Sequence, residues 1–170
     1  MTTEDLAQYR TILRPPVCAP YRGYSVCGMG PPSSGALTVG QILGLVERFD
    51  LPQLGPSSQS IHLILEASRL AFADRARYMA DIDFVPVPVV GLLDSGYLSE
   101  RSRMIHADSS IGKATAGIPP GVLSANATVY QSEPAGTSHL SIVDALGNIV
   151  SMTTTIESGF GSRLMTDGFL

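Results

Sequence analysis

No stretch of this chain approaches the ~18 apolar residues a membrane-spanning helix needs. The residues from Met1 onward also lack the apolar run of a signal peptide. Positive charge is scarce: 11 Lys and Arg against 15 Asp and Glu leave a formal net charge of −4. That balance excludes a basic patch for nucleic acid and a polybasic contact with anionic lipid. Cysteine is limited to Cys18 and Cys27, and no other cluster of residues points to a metal or to a cofactor. What remains is a 170-residue chain, 44% hydrophobic, with material for about one soluble globular domain.

The most informative stretch is Gly136 to Glu157. Apolar and polar residues alternate on both sides of an Asp144-Ala145-Leu146-Gly147-Asn148 corner, which predicts an antiparallel hairpin. If the loop is Ala145 to Gly147, Asp144 pairs with Asn148, and stepping outward sets Thr137 opposite Thr155. Opposed residues share a face and successive side chains alternate. Thr137, His139, Ser141, Thr153 and Thr155 then line one face, with Glu157 just beyond its end. Leu140, Ile142, Val150, Met152 and Ile156 form the other, which is expected to pack on a core.

Two adjacent hydroxyls, one of them following a flexible Gly, fit a specific chemistry. Were the Gly136–Thr137 bond cut, Thr137 would carry a free α-amine with an ordinary pKa of about 8 beside its own hydroxyl. Base and nucleophile would then sit in one residue. On spacing alone, the plainer account is a Thr-rich strand facing solvent. His139 lies two residues from Thr137 on the same face, about 6.5 Å along the backbone. That is too far for direct proton transfer, so His139 is read as a packing and hydrogen-bonding residue.

The run Thr-Ser-His-Leu-Ser-Ile-Val-Asp-x-x-Gly-Asn-x-Val-Ser-x-Thr-x-Thr-Ile-Glu, then Phe160-Gly161-Ser162, resembles the start of the small subunit of gamma-glutamyltransferases, autoprocessing N-terminal-nucleophile hydrolases. Upstream, Asp5-Leu6-Ala7-x-Tyr9, Tyr21-Arg22-Gly23-Tyr24, Pro31-Pro32-Ser33-Ser34-Gly35, Ala71-Phe72-Ala73-Asp74-Arg75 and Asp83-Phe84-Val85 resemble that family's large subunit, in order. The resemblance implies an α+β fold, part of a four-layer αββα sandwich incomplete here. It implies autocatalytic cleavage between Gly136 and Thr137, a nucleophile at Thr137, an orienting partner at Thr155, and a contact from Glu157 to the substrate α-amino group. Family members carry Asn or Glu at that last position, a difference expected to bear on substrate preference.

By the same resemblance, residues 1–136 end a large subunit and residues 137–170 begin a small one. The remainder of both subunits would then be partners. The gripping arginine is expected before Met1, and the oxyanion donors after Leu170. Substrates would be glutathione and other γ-glutamyl compounds, with water or an amino acid or peptide amine as acceptor, and no nucleic acid. The family is usually periplasmic, secreted or at the cell surface. Cephalosporin and glutaryl acylases share the core motif, and an inactive truncated member is the remaining alternative.

The rest of the chain is read from local signals. Thr2 caps a short helix to about Tyr9. Cys18–Tyr21 and Tyr24–Met29 form a hairpin turning at Arg22-Gly23, which sets Cys18 opposite Cys27. A cross-strand disulfide demands special geometry, so two free buried thiols are expected. Gly28 to Gly35 has the look of a phosphate loop, but its prolines and missing lysine argue for a helix entry capped by Ser33 or Ser34. Ile61, Ile64, Leu65, Ser68, Phe72 and Met79 mark the apolar repeat of a long helix. Arg69, Asp74, Arg75 and Arg77 read as its solvated charges, and His62 as a surface or packing residue. Residues 83–88 form an extended connector. Asp94 or Ser95 caps a helix to Ile105 that ends on His106 and Asp108. Residues 107–135, rich in Ala, Gly, Pro and Ser, read as a mobile tail leading to the cleavage point, and residues 163–170 as a further extended segment.

Overall fold

Thr2 begins the first helix as expected: its side chain accepts from the Asp5 amide at 3.2 Å, and the Asp5 carboxylate accepts from the Thr2 amide at 2.6 Å. This reciprocal pair satisfies two donors that would otherwise be orphaned at the helix start. The computed structural model describes residues 2–122, 137–156, 161 and 165. The elements run α1 Thr3–Gln8, β1 Val17–Tyr21, β2 Tyr24–Gly28, α2 Gly35–Val46, α3 Leu51–Leu54, α4 Ser58–Tyr78, α5 Val89–Leu92, α6 Ser95–Ser102, β3 Thr137–Val143 and β4 Ile149–Thr155. They fall into two compact units, Met1–Ile12 with Gln131–Leu170, and Leu13–Tyr130.

In the larger unit, β1 and β2 pair antiparallel with Cys18 opposite Cys27. The thiols are not free and buried: both residues are exposed, and their sulfurs are joined in a disulfide. Cys18 and Cys27 alternate with Ala19 and Val26, which point inward, so the cysteines fall on the solvent face. Helix α2 packs on this hairpin and on α4 and α6. The approach is close because glycine faces the contacts. A Cβ on Gly40 would lie 2.7 Å from the Ala19 Cβ, and one on Gly44 would lie 2.6 Å from Leu98 Cδ1. Ser34 occupies the N-cap of α2 without capping it; its hydroxyl instead accepts from Arg75 Nε at 2.7 Å.

Helix α4 begins with a capping pair between Ser57 and Ser60 and ends at Tyr78. The helix falls where its repeat predicts it, but the buried face is a different one. Leu63, Ala67, Leu70 and Ala71 are almost wholly buried, whereas Ile61, Ile64, Leu65 and Phe72 remain 41–57% exposed. Nor are its charges a solvated face, since Asp74 and Glu66 are each only 2% exposed. Arg69 and Arg75 bond Ser110 and Ser34 rather than water alone.

Residues 83–88 begin with a turn, the amides of Phe84 and Val85 both donating to Asp81 O, and not with an extended run. Asp94 caps α6, accepting from the Tyr97 amide at 2.9 Å. The cation that bonds backbone carbonyls at its C-terminal end is Arg48, alongside Arg101 in the last turn, rather than the expected His106. The Arg48 guanidinium donates to Ser102 O, the last carbonyl of the helix, at 3.0 Å and to Ile105 O, just beyond it, at 2.8 Å. Among the described residues no helix is long and apolar enough to cross a membrane.

Candidate active site

The corner of the β3–β4 hairpin sets its register. Asp144 accepts from the Leu146 amide at 2.8 Å, the Asn148 amide at 2.9 Å and the Asn148 side chain at 2.7 Å. These bonds, the Asn148 side chain first, hold its carboxyl below the usual aspartate range. Gly147 takes φ of +82°, a conformation that favours glycine. The amide of Asp144 donates to Asn148 O at 3.0 Å, so these two residues close the loop. From there the strands pair residue by residue until Thr137 meets Thr155.

The hydroxyl face is continuous. Thr137 Oγ1 donates to Thr155 Oγ1 at 3.1 Å. His139 Nδ1 lies 2.8 Å from Thr153 Oγ1, and its Nε2 is 3.2 Å from Ser141 Oγ and 3.3 Å from Ser151 Oγ. Both ring nitrogens are therefore engaged by the middle of the face, not by Thr137. The pair at the end is free of a histidine base. A nucleophile there needs another proton acceptor, and an N-terminal amine on Thr137 would supply one. Gly136 and Glu157 lie outside the described residues. The opposite face of the hairpin is not buried: Leu140, Ile142, Val150, Met152 and Ile156 are 36–61% exposed.

A second polar constellation sits in the larger unit and was not anticipated. The carboxylate of Asp74 accepts from Gln41 Nε2 at 3.0 Å, Tyr97 Oη at 2.7 Å, Arg101 Nη2 at 3.1 Å and the Gly117 amide at 2.8 Å. A buried charge is tolerable only when it is paired and its lone pairs are filled, as they are here. Burial, then the bond to Asp74, pushes the Tyr97 hydroxyl far above its ordinary range, so it stays a proton donor. The signal available in sequence was Asp74 lying four residues from Leu70 and Tyr78, on the buried side of α4. The charge alone argued the other way.

The chain is similar to proteins of known structure. Over 74% of its length this chain superposes on the crystal structure of Helicobacter pylori gamma-glutamyltranspeptidase, with TM-score 0.68 and 40% identity, covering 37% of that chain. Over 95% of its length it superposes on cephalosporin acylase from Bacillus halodurans, with TM-score 0.62 and 28% identity, covering 26% of that chain. The class is that of N-terminal-nucleophile hydrolases, of which this chain provides an incomplete α+β part. The gamma-glutamyltranspeptidase profile matches residues 1–170, and the chain belongs to that family. It is 41% identical to the Acylase ACY 1 proenzyme of Pseudomonas sp. (strain V22), over 96% of this chain and 27% of that protein. It is 38% identical to the Glutathione hydrolase proenzyme of Escherichia coli (strain K12), over 97% of this chain and 27% of that protein. The chain thus spans about a quarter of the length of these relatives.

Proposed function

We propose that this chain carries the processing junction and nucleophile of a gamma-glutamyltransferase, or glutathione hydrolase, with residues 1–136 ending the large subunit and residues 137–170 beginning the small one. The observation that carries the reading is the 3.1 Å bond between the Thr137 and Thr155 hydroxyls, at the strand position that follows Gly136. In the first step the Thr137 Oγ attacks the Gly136 carbonyl carbon. The C–N bond breaks as the acyl group moves to oxygen, and nitrogen takes up the proton. Water then cleaves the ester, leaving a Gly136 carboxylate and a Thr137 with free amine and hydroxyl.

In turnover that amine takes the hydroxyl proton while Oγ attacks the γ-carbonyl of glutathione or a related γ-glutamyl compound. The amide C–N bond breaks, the amine leaves with the proton, and a γ-glutamyl ester remains on Thr137. Water or the amine of an amino acid or peptide resolves it. Thr155 orients the nucleophile, and Glu157 takes the substrate ammonium. An exported or cell-surface location is supported by the exposed Cys18–Cys27 disulfide, a bond that persists in oxidising compartments.

The test is an intact mass of the purified protein. Two species that separate before Thr137, and a single species for Thr137→Ala, are expected. A Thr137→Ala protein that still splits there would overturn the assignment, and an unsplit wild type would favour an inactive member of the family. The second reading, an acylase, rests on the 41% identity to the Acylase ACY 1 proenzyme. Comparing turnover of a γ-glutamyl anilide with that of a glutaryl amide separates the two.

A further inference from the structure

The β1–β2 hairpin carries its disulfide on an open face. Arg22 and Gly23 make a two-residue turn, with φ of 49° and 82°. Counting outward from the pair Tyr21–Tyr24, Cys18 and Cys27 fall on a rung that exchanges no backbone hydrogen bonds, where opposed side chains stand closest. Pro20 and Ser25 form the neighbouring rung of the same kind, on the same face. All four residues are exposed, whereas Ala19 on the other face is 4% exposed and lies against Gly40 of α2.

Ser25 gives the two sulfurs different surroundings. Its cross-strand neighbour Pro20 offers no polar side chain, and its hydroxyl lies 3.5 Å from Cys27 Sγ. A disulfide sulfur carries no proton, so Ser25 is the donor and Cys27 Sγ the acceptor. Among the described residues no hydrogen bond reaches Cys18 Sγ. Thiol–disulfide exchange chooses between sulfurs by the thiolate each attack leaves behind, and the better-stabilised thiolate departs more readily. Attack at Cys18 expels Cys27, whose developing charge meets the Ser25 hydroxyl. Attack at Cys27 expels Cys18, which has no such donor.

We propose that Cys18 is a thiolation site, the sulfur at which low-molecular-weight thiols open the exposed disulfide. The attacking thiolate forms an S–S bond to Cys18 Sγ. The Cys18–Cys27 bond breaks, its electron pair leaves on Cys27 Sγ, and that sulfur takes a proton from water. One disulfide is exchanged for another, so nothing beyond the thiol is consumed. The bond spans a sequence separation of only nine, a loop that the turn and ladder already close, and the hairpin therefore outlasts it. Ala19 stays packed on α2, and Arg22 Nη2 donates to Phe49 O at 2.9 Å, which keeps Cys27 opposite Cys18. Once the thiol is removed, the Cys27 thiolate attacks Cys18 Sγ, expels the small thiolate and restores the bond. The site lies wholly in the larger unit and stands whether or not the chain cleaves itself.

The experiment exposes the purified chain to mercaptoethanol, which has no γ-glutamyl bond for the proposed activity to cut. Samples are quenched with N-ethylmaleimide to cap free thiols. Trypsin cuts after Arg22 and so places the two cysteines on separate peptides. Mass spectrometry then measures the mercaptoethanol adduct on each. Adduct on the Cys18 peptide is expected in about fivefold excess, the effect of one ordinary hydrogen bond. Ser25→Ala, checked for retained Tm, is expected to bring the two adducts to parity, whereas Ser25→Thr, which keeps a hydroxyl, retains the excess. Dialysis of the unquenched wild type is expected to return the two peptides to their linked form. A disulfide that resists mercaptoethanol, a reduction that passes through no adduct, or adduct found evenly or mainly on the Cys27 peptide overturns the site. An excess on Cys18 that survives Ser25→Ala overturns the role given to Ser25.

Discussion

At residue scale, the Thr137–Thr155 contact invites the mildest substitution. Thr155→Val keeps the shape and removes only the hydroxyl that faces Thr137 at 3.1 Å. A single hydrogen bond contributes about 1 ± 0.5 kcal/mol, so processing is expected to slow by about fivefold, read by intact mass over time. Unchanged kinetics would strip Thr155 of its orienting role. Glu66 gives a pH prediction. Burial raises its carboxyl, but the Ile111 amide, the Ser110 hydroxyl, Arg69 and His62 outweigh burial and leave it below the ordinary value. A depressed carboxyl contributes stability that is fully present above its unfolded pKa, about 4.3, and is lost as pH falls through the folded one. The Ile111 amide should therefore hold constant hydrogen-exchange protection from neutral pH to about 5, then lose it in more acid solution, with Glu66→Gln flat across the range. The Thr pair was legible because period-two alternation and one corner fix a register. Glu66 and Asp74 were not, because their partners Gln41, Tyr97, Arg101, Ser110 and Gly117 are far away in sequence, and a charge on a helix is ordinarily solvated.

At the scale of elements, α2 and β1 meet over Gly40. An added Cβ would lie 2.7 Å from the Ala19 Cβ and 3.0 Å from Leu93 Cδ2. The Ala19 methyl has no rotamer to yield with. Ala is the better helix former by about 0.5–1 kcal/mol, but overpacking a core contact costs about 1–3 kcal/mol. Gly40→Ala should thus be destabilised by about 1 kcal/mol net in urea unfolding, and a stabilised variant would contradict the close approach. Elements themselves were read well where capping and periodicity agree: Thr2, Asp94 and the turn at Arg22-Gly23 all stand where expected. The face of α4 was not. Ile61, Ile64, Leu65 and Phe72 are larger and more apolar than Ala67 and Ala71, so a repeat weighted by size chooses the wrong side. Packing against α2 instead requires small residues, and the alanines supply them.

At the scale of the whole molecule, apolar surface is left open on both units. On α4, Ile61 and Leu65 are 56% and 57% exposed; on the hairpin, Ile142 and Ile156 are 57% and 61% exposed. Scattered apolar residues on a surface are normal, but contiguous stripes are characteristic of association. The 170-residue chain purified alone should therefore self-associate in a concentration-dependent way on size-exclusion chromatography. Placing charge on the α4 stripe, as Ile61→Lys with Leu65→Lys, should shift it toward the monomer with Tm little changed. Leu63→Lys, two residues from each of these positions but only 1% exposed, should instead unfold the larger unit, because an unpaired charge would replace a core leucine. A chain that elutes as a monomer at every concentration would overturn the reading of these faces as association surfaces.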